Sequence, residues 1–209
     1  MVALDYYRLS PAGLLVEEFV LAADLSAVRL RSAGWTRAAG RWWSSAAYAR
    51  AVRTDREVRA RVTAVDRAAA EQIYRRLSGA ALPSEEALRG HFGDDIPLTP
   101  GAPLRLGTGP AVHRVLFAGE PDHETVDRLR TRLRLADDPS VPGILGTGRL
   151  RIEQTSLRWD LRRVAGGAAW SIDVTAEPAG GEALPAMLRR LTDVARHHGL
   201  IPTTVECLC

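Results

Sequence analysis

The second half of the chain shows the clearest alternation of hydrophobic and polar positions. The run "AVHRVLFAG" at 111–119 is apolar enough for a buried strand. Pro121 and Asp122 follow it, and both residues favour the first turn of a helix. Apolar residues then recur at helical spacing as far as Leu133. This stretch therefore predicts a strand followed by a helix.

The next segment alternates in two different phases. Leu150 and Ile152 occupy even-numbered positions, whereas Leu157 and Trp159 occupy odd-numbered positions. Because a slip of one residue moves side chains to the opposite face of a strand, we expect a bulge or a tight turn near Thr155.

The last segments complete an alternating order of strands and helices. "AGG" at 165–167 predicts a hairpin turn, and the stretch "GGEALPAMLRRLTDVARHHGL" at 180–200 has the strongest apolar stripe, with Gly199 as its C-terminal stop. "TTVECLC" at 203–209 reads as a final strand. The order strand, helix, strand, strand, helix, strand predicts an α+β protein with a C-terminal ferredoxin-like βαββαβ module over 112–209, both helices covering one face of an antiparallel sheet.

The first half of the chain is less regular. Its recognisable patterns are a hairpin at 28–45, helices at 45–55 and 66–77, and a strand at 58–65. We expect a small α+β domain over 1–95, joined to the module at 112–209 by a linker at 96–111 that is rich in proline and glycine.

Composition excludes several chemistries. The chain contains no lysine and no asparagine, so all 28 basic Lys and Arg positions are arginine. Without lysine, a Gly-Lys phosphate loop, a Schiff base and a Ser-Lys dyad are excluded, and without asparagine a Cys-His-Asn triad is excluded. Both missing residues have AT-rich codons, which favours a GC-rich bacterial origin. No metal-ligand spacing and no Gly-x-Ser-x-Gly elbow is visible either, so an enzyme is neither excluded nor indicated, and no cofactor is expected.

Charge is concentrated in one region of the first half. Residues 29–61 contain nine arginines against Asp55 and Glu57. The candidate residues for nucleic-acid or anion binding in this basic segment are Arg37, Arg41, Arg50, Arg53, Arg59, Arg61, Trp42 and Trp43. Arginine with interleaved aromatic residues suits phosphate contacts and base stacking. The alternative is that the tryptophans are core residues and the arginines only solvate the surface.

The predicted sheet of the second half offers another surface. Its uncovered face would carry Arg149, Arg151, Arg158 and Arg162 among acidic residues, with Trp159 on the helix-covered face. A mixture of charges suits a protein partner better than stacked bases. The leading hypothesis is therefore a cytoplasmic accessory or adaptor protein that binds another protein or itself.

The C-terminal cysteines define a third hypothesis, an enzyme or a metal carrier. Cys207 and Cys209 lie two residues apart, and His197 and His198 precede them, so soft metal ligation is conceivable. The alternative is that the cysteines are apolar positions of the final strand. The start "MVALDYYRLS" has no signal-peptide pattern and no apolar run reaches membrane-spanning length, so we expect a cytoplasmic protein that does not associate with membranes.

Overall fold

A computed structural model describes residues 3–98, 110–137, 143–164, 169–178 and 182–208. Contacts divide the chain into two compact units. The first unit comprises Met1–Leu21 and Ala27–Thr99, and the second comprises Ala22–Ser26 and Pro100–Cys209. Within the described ranges the chain is α+β, with two antiparallel sheets and six helices.

The first unit is built on an antiparallel sheet. Its strands are β1 (Asp5–Leu9), β2 (Gly13–Leu21), β3 (Ala27–Thr36), β4 (Trp42–Ser44), β5 (Val62–Val65) and β6 (Ile96–Pro97). The spatial order is β4-β3-β2-β1-β5, and β6 also pairs with β3. The hairpin expected at 28–45 is therefore present as β3 and β4.

Helices of the first unit follow the capping signals in the sequence. They are α1 (Ala46–Thr54), α2 (Arg56–Arg59), α3 (Arg67–Ser78) and α4 (Glu85–Arg89). The Asp66 carboxylate accepts the Ala69 backbone N–H at 2.7 Å at the start of α3, which satisfies one of the free amides of a helix N-terminus. Gly79 ends α3 with φ of 77°, a left-handed conformation that glycine adopts without strain.

Strands β1 and β2 form a hairpin that the hydrophobic pattern did not reveal. Both faces of this hairpin are almost completely buried, so polar and apolar positions do not alternate along it. Glu17 on β2 is itself buried, and its two carboxylate oxygens accept hydrogen bonds of 2.9 and 2.8 Å from the Arg53 guanidinium of α1. Burial alone would lower the pKa of Arg53, but the charge and hydrogen bonds of Glu17 raise it above its ordinary value.

The second unit contains a five-stranded antiparallel sheet. Its strands are β7 (Val112–Ala118), β8 (Ile144–Ile152), β9 (Thr155–Val164), β10 (Ala169–Glu177) and β11 (Ile201–Leu208), in the order β11-β7-β10-β9-β8. Helix α5 (His123–Arg132) follows β7, and helix α6 (Ala183–His197) follows β10. The Asp122 side chain caps α5 by accepting the Thr125 backbone N–H at 2.8 Å, as the sequence pattern predicts.

A ferredoxin-like βαββαβ module is not confirmed by this strand order. The phase change near Thr155 is a tight turn, and Glu153 occupies it with φ of 53°. The turn separates β8 from β9, which pair with Ile152 opposite Thr155. One predicted strand is therefore two strands, and the described elements run strand, helix, three strands, helix, strand.

The core of the second unit lies between its sheet and its two helices. Trp159 and Trp170 belong to this core, together with Leu188 and Leu191 of α6. Trp159 is 5% exposed and Trp170 is 2% exposed, so neither indole is available on the surface for base stacking.

Some predicted features fall outside the described residues. These are most of the linker at 96–111, the hairpin turn at 165–167 and Cys209. Among the described residues, no helix is long and apolar enough to cross a membrane.

Candidate anion-binding groove

A groove of about 610 Å³ lies between the two helices of the second unit. It is lined by Arg132 of α5 and, from α6 and its C-terminal cap, by Ala186, Arg189, Arg190, Asp193, Val194, His197 and His198. The α6 residues recur at three- and four-residue spacing, so they share one side of the helix. The neighbouring stripe of α6, which includes Leu184, Leu188 and Leu191, packs into the core. We call this surface the arginine groove.

Asp193 is the acidic residue in the lining of the arginine groove. Its Oδ2 accepts a hydrogen bond of 3.1 Å from Arg189 Nε, and its Oδ1 accepts one of 2.9 Å from Arg196. Both carboxylate oxygens are thus engaged by arginines of α6 itself. Asp193 is therefore not positioned to neutralise the other arginines of the groove.

Four exposed arginines at the arginine groove and its adjoining hollow have no ionic partner. Arg132 and Arg190 line the groove, and Arg134 and Arg149 line a hollow of about 30 Å³ that shares Arg132, Arg190 and Val194 with it. Within the part of the chain that the structure describes, no hydrogen bond or ion pair engages any of these four guanidinium groups. Unneutralised cations grouped on one concave surface make it attractive to anions.

The hollow beside the groove has an apolar wall fixed by one buried hydrogen bond. Leu133, Met187 and Leu191 contribute to this wall together with Trp159. The Trp159 indole N–H donates to the Leu133 carbonyl oxygen at 2.9 Å, which ties the end of α5 to strand β9. A ligand that reaches this hollow meets hydrocarbon beside positive charge.

The C-terminal end of α5 places Arg134 by an unusual backbone conformation. Arg134 has φ of 53°, in the left-handed region where glycine usually ends a helix. The Leu135 backbone N–H bonds the Arg130 carbonyl at 2.9 Å, and the Arg134 N–H bonds the Thr131 carbonyl at 3.1 Å. A long side chain is thus held at a position where glycine would be less strained.

The structure does not bring the arginines of the basic segment 29–61 into one site. Arg53 is buried against Glu17, and Arg59 donates to the backbone carbonyls of Val52 and Arg53 at 3.3 and 3.1 Å. Arg29 and Arg31 both pair with Asp95, at 3.2 and 2.9 Å.

Four predicted site residues of this segment remain exposed. Arg37 and Arg41 flank the turn between β3 and β4, Arg50 lies on α1, and Arg61 precedes β5. No ion pair is formed by these four arginines among the described residues. They are distributed over one helix and two connections of the first unit.

The tryptophans of the same segment belong to the core side of the first sheet. Trp42 and Trp43 are half-buried and pack against the cluster that contains Trp35 and Tyr74. Trp42 stacks on Tyr74 with ring centroids 5.7 Å apart and on His91 at 6.2 Å. The Trp42 ring is therefore already stacked on protein side chains.

The predicted partner-binding arginines of the second sheet divide into paired and unpaired residues. Arg158 pairs with Asp160 at 3.2 Å, and Arg162 pairs with Asp173 at 3.3 Å. Arg151 bonds the Glu153 backbone carbonyl at 3.3 Å. Arg149 is exposed and forms no ion pair with any residue in the described ranges.

The proposed metal ligands at the C-terminus do not lie together. His197 and His198 are at the end of α6, where their Nδ1 atoms bond the Asp193 and Val194 carbonyls, each at 2.8 Å. Cys207 lies six residues beyond the start of β11, which corresponds to roughly 20 Å along a strand. Among the described residues no group of three or more His, Cys, Asp or Glu side chains could hold a metal ion.

The groove arginines were missed because they come from distant segments of ordinary local charge. Arg132 and Arg134 lie more than 50 residues from Arg189 and Arg190 along the chain. Arg132 and Arg134 flank Leu133, and Leu188 and Leu191 flank Arg189 and Arg190. This pattern indicates two helices with basic borders but does not show that the borders meet.

Comparison of the chain with protein-family models, with curated proteins and with solved structures finds no match in any of the three. Function is therefore inferred from the chemistry of the groove alone.

Proposed function

We propose that this protein is a non-catalytic cytoplasmic adaptor that binds an acidic segment of a partner protein in the arginine groove. The observation that carries the proposal is the grouping of four exposed, unpaired arginines along the groove and its adjoining hollow: Arg132, Arg134, Arg149 and Arg190. The guanidinium group is planar and offers parallel N–H donors, which match the two oxygens of a carboxylate.

The surroundings of these arginines support a protein segment as the ligand. Val194 and Ala186 place apolar surface within the groove, and Leu133 and Met187 place more in the adjoining hollow. Protein interfaces combine a desolvated apolar centre with a polar rim in which arginine is enriched. A segment that alternates acidic and apolar side chains would satisfy both parts of this surface.

The same surroundings do not favour nucleic acid. Binding of single strands depends on exposed aromatic rings on which bases stack. Among the described residues, no phenylalanine, tyrosine or tryptophan lines the arginine groove, and the indole of the adjoining hollow, Trp159, is buried with its N–H engaged. Phosphate contacts and the imidazole rings of His197 and His198 would remain.

The proposal is tested with a fluorescent peptide of 15 residues, the length of α6, that alternates glutamate and leucine on one helical face. A matched peptide carries glutamine in place of glutamate, and a single-stranded oligonucleotide serves as a third probe. We expect the acidic peptide to bind most tightly in fluorescence anisotropy and its affinity to fall with rising salt, because exposed charges are screened.

Two double variants locate the binding surface. The R132Q/R190Q variant should lose about tenfold or more in affinity, since contacts to charged groups contribute roughly 1–3 kcal/mol each. The R37Q/R41Q variant removes the same charge from the first unit and should bind as the unchanged protein does. Equal losses in both variants, or tighter binding of the oligonucleotide than of the acidic peptide, would overturn the proposal.

Light scattering tests whether the partner is a second copy of this chain or another protein. If the acidic segment belongs to a second copy of this chain, the protein is dimeric and R132Q/R190Q is monomeric. A dimer that persists in the double variant would show that the groove is not the contact between copies.

A further inference from the structure

Strand β8 lies at one end of the second sheet, and part of its outer edge is open. The order β11-β7-β10-β9-β8 gives β8 one neighbouring strand, β9. At Thr147 the outer edge is closed by Ala136, and the two residues exchange backbone hydrogen bonds of 2.9 Å. Beyond Thr147, no described segment pairs with the outer edge of β8. The stretch 148–152 therefore ends the sheet without a partner among the described residues.

The bridge at Thr147 shows which backbone groups of β8 point outward. The N–H and C=O of Thr147 bond Ala136, so they point away from β9. Bond direction alternates along an antiparallel strand, and the N–H and C=O groups of Arg149 and Arg151 therefore point away from β9 as well. The two-residue turn at 153–154 requires the same phase, because the residues that flank such a turn form a hydrogen-bonded pair.

The side chains of the open edge separate basic from apolar residues. Leu150 packs against the core that the helices cover, so its neighbours Arg149 and Arg151 lie on the uncovered face. Both arginines are exposed. Ile152 shares the face of Leu150 and is 41% exposed, which makes it the one exposed large apolar side chain among the described residues. A strand added here would meet arginine on one face and aliphatic side chains on the other.

Positive charge is concentrated on the uncovered side of this edge. Arg149 is directly opposite Arg158 of β9, in the type of pair whose side chains approach more closely. Like charges directly opposite destabilise a sheet. Among the described residues Arg158 pairs with Asp160 at 3.2 Å, whereas Arg149 has no carboxylate partner. A concavity of about 440 Å³ lies at this pair, lined also by Arg151 and by one acidic residue, Glu177. The arrangement favours an additional anion.

We propose that the open edge of β8 binds an extended acidic segment of a partner protein as an additional antiparallel strand. The inference rests on the proposed function, because Arg149 and Leu150 also line the hollow beside the arginine groove, and it specifies the conformation and the sequence pattern of the segment. Backbone groups of the segment bond those of Arg149 and Arg151, as in other ligands that add a strand to a sheet. Its carboxylates lie beside the arginines, and its apolar side chains lie against Leu150 and Ile152.

The same edge of a second copy of this chain does not fit as the added strand. Antiparallel pairing of two β8 strands would place the arginines of one copy beside those of the other, and like charges oppose such pairing. The stretch 148–152 contains no acidic residue that could neutralise them. Charge on an edge strand prevents indiscriminate pairing, so the edge selects a segment of opposite charge.

Antiparallel addition determines which residues of the segment donate hydrogen bonds to β8. The residue opposite Arg149 exchanges both backbone hydrogen bonds with it, and its side chain lies on the same face, so this residue is acidic. The apolar residues, opposite Leu150 and Ile152, have N–H groups that point away from β8. N-methylation separates the two sets, because it removes a backbone donor and leaves the side chain unchanged.

The test uses a fluorescent peptide of nine residues, the length of β8, in which glutamate and valine alternate. One isomer is N-methylated at its four valines and the other at four of its glutamates. In fluorescence anisotropy we expect the valine isomer to bind within about threefold of the unmodified peptide and the glutamate isomer to bind about tenfold or more weakly. The R149Q/R151Q variant should bind the unmodified peptide about tenfold or more weakly, and the matched R37Q/R41Q variant should bind it unchanged.

The peptide with glutamate and leucine on one helical face distinguishes this inference from the proposed function. If that peptide binds and the alternating peptide does not, strand addition is wrong and the proposed function stands. The same conclusion follows if the two N-methylated isomers bind equally, or if the valine isomer binds more weakly. If neither acidic peptide binds, both the inference and the proposed function are overturned.

Discussion

The basic segment 29–61 and the arginine groove differ in what their guanidinium groups contact. In the first, Arg29, Arg31 and Arg53 are paired with acidic side chains. In the second, Arg132 and Arg190 have no such partner among the residues the structure describes. In the segment with the higher density of arginine in sequence, three arginines thus pair within the fold, and the exposed ones lie on separate elements. An anion-binding site is therefore recognised by arginines that have no acidic neighbour in the folded structure, and not by a high density of arginine along the chain.

The largest effect expected from this comparison is on the buried pair of the first unit. The R53A variant should lower the free energy of unfolding by about 3–5 kcal/mol, because it leaves the Glu17 carboxylate buried and uncompensated. The side chain of Glu17 is 1% exposed and that of Arg53 is 9% exposed. Urea denaturation followed by circular dichroism measures this loss.

The R50A variant on the same helix is the matched control. Arg50 is exposed, so its removal should change stability by less than about 0.5 kcal/mol. If R53A and R50A were equally stable, the buried pair of Arg53 with Glu17 would not stabilise the fold.

The second prediction compares one tryptophan from each region. Trp159 donates its indole N–H to the Leu133 carbonyl, whereas the Trp42 Nε1 is buried with no partner among the described residues. Both W159F and W42F lose ring volume, but only W159F leaves a buried carbonyl unsatisfied. We expect W159F to cost about 1–3 kcal/mol more than W42F in urea denaturation. Equal losses would indicate that the hydrogen bond does not hold the wall beside the groove.

The third prediction separates stability from binding at Arg134. Glycine suits the left-handed conformation of this residue, so R134G should stabilise the protein by up to about 1 kcal/mol. The same change removes one arginine beside the groove and should lower the affinity for the acidic peptide by about threefold or more. A thermal melt and an anisotropy titration on the same sample measure both effects. If R134G were more stable but bound the acidic peptide with unchanged affinity, Arg134 would not be part of the binding site.

The smallest effect is expected at the turn between β3 and β4. Arg37 and Arg41 are exposed and form no ion pair with a described residue, and they lie far in sequence from the groove. R37Q/R41Q should leave the free energy of unfolding within about 0.5 kcal/mol of the unchanged protein. A larger loss, measured by urea denaturation, would show that this turn depends on its charges.

Local signals in the sequence predicted the elements whose cause is local. Asp66 and Asp122 cap α3 and α5 because each offers a carboxylate to a backbone amide three residues away. The apolar stripe of α6 predicted its buried side, including Leu184 and Leu191. These features depend on residues separated by only a few positions.

Features that depend on distant residues were not predictable in the same way. In the sequence Glu17 interrupts an apolar run, and only the fold places Arg53, 36 residues later, against its carboxylate. The phase change near Thr155 was consistent with a bulge or a turn, and the choice between them changed the number of strands. The groove likewise needs α5 and α6 side by side, and the open edge of β8 needs the strand order of the second sheet.

The most direct test of the central claim is a map of arginine side chains during binding. Titration of ¹⁵N-labelled protein with the acidic peptide should shift the Nε–Hε resonances of Arg132 and Arg190, together with the indole N–H of Trp159 beside them. The resonances of Arg37, Arg41 and Arg53 should not move. Shifts confined to the arginines of 29–61, with those of the groove unchanged, would contradict the assignment of binding to the second unit.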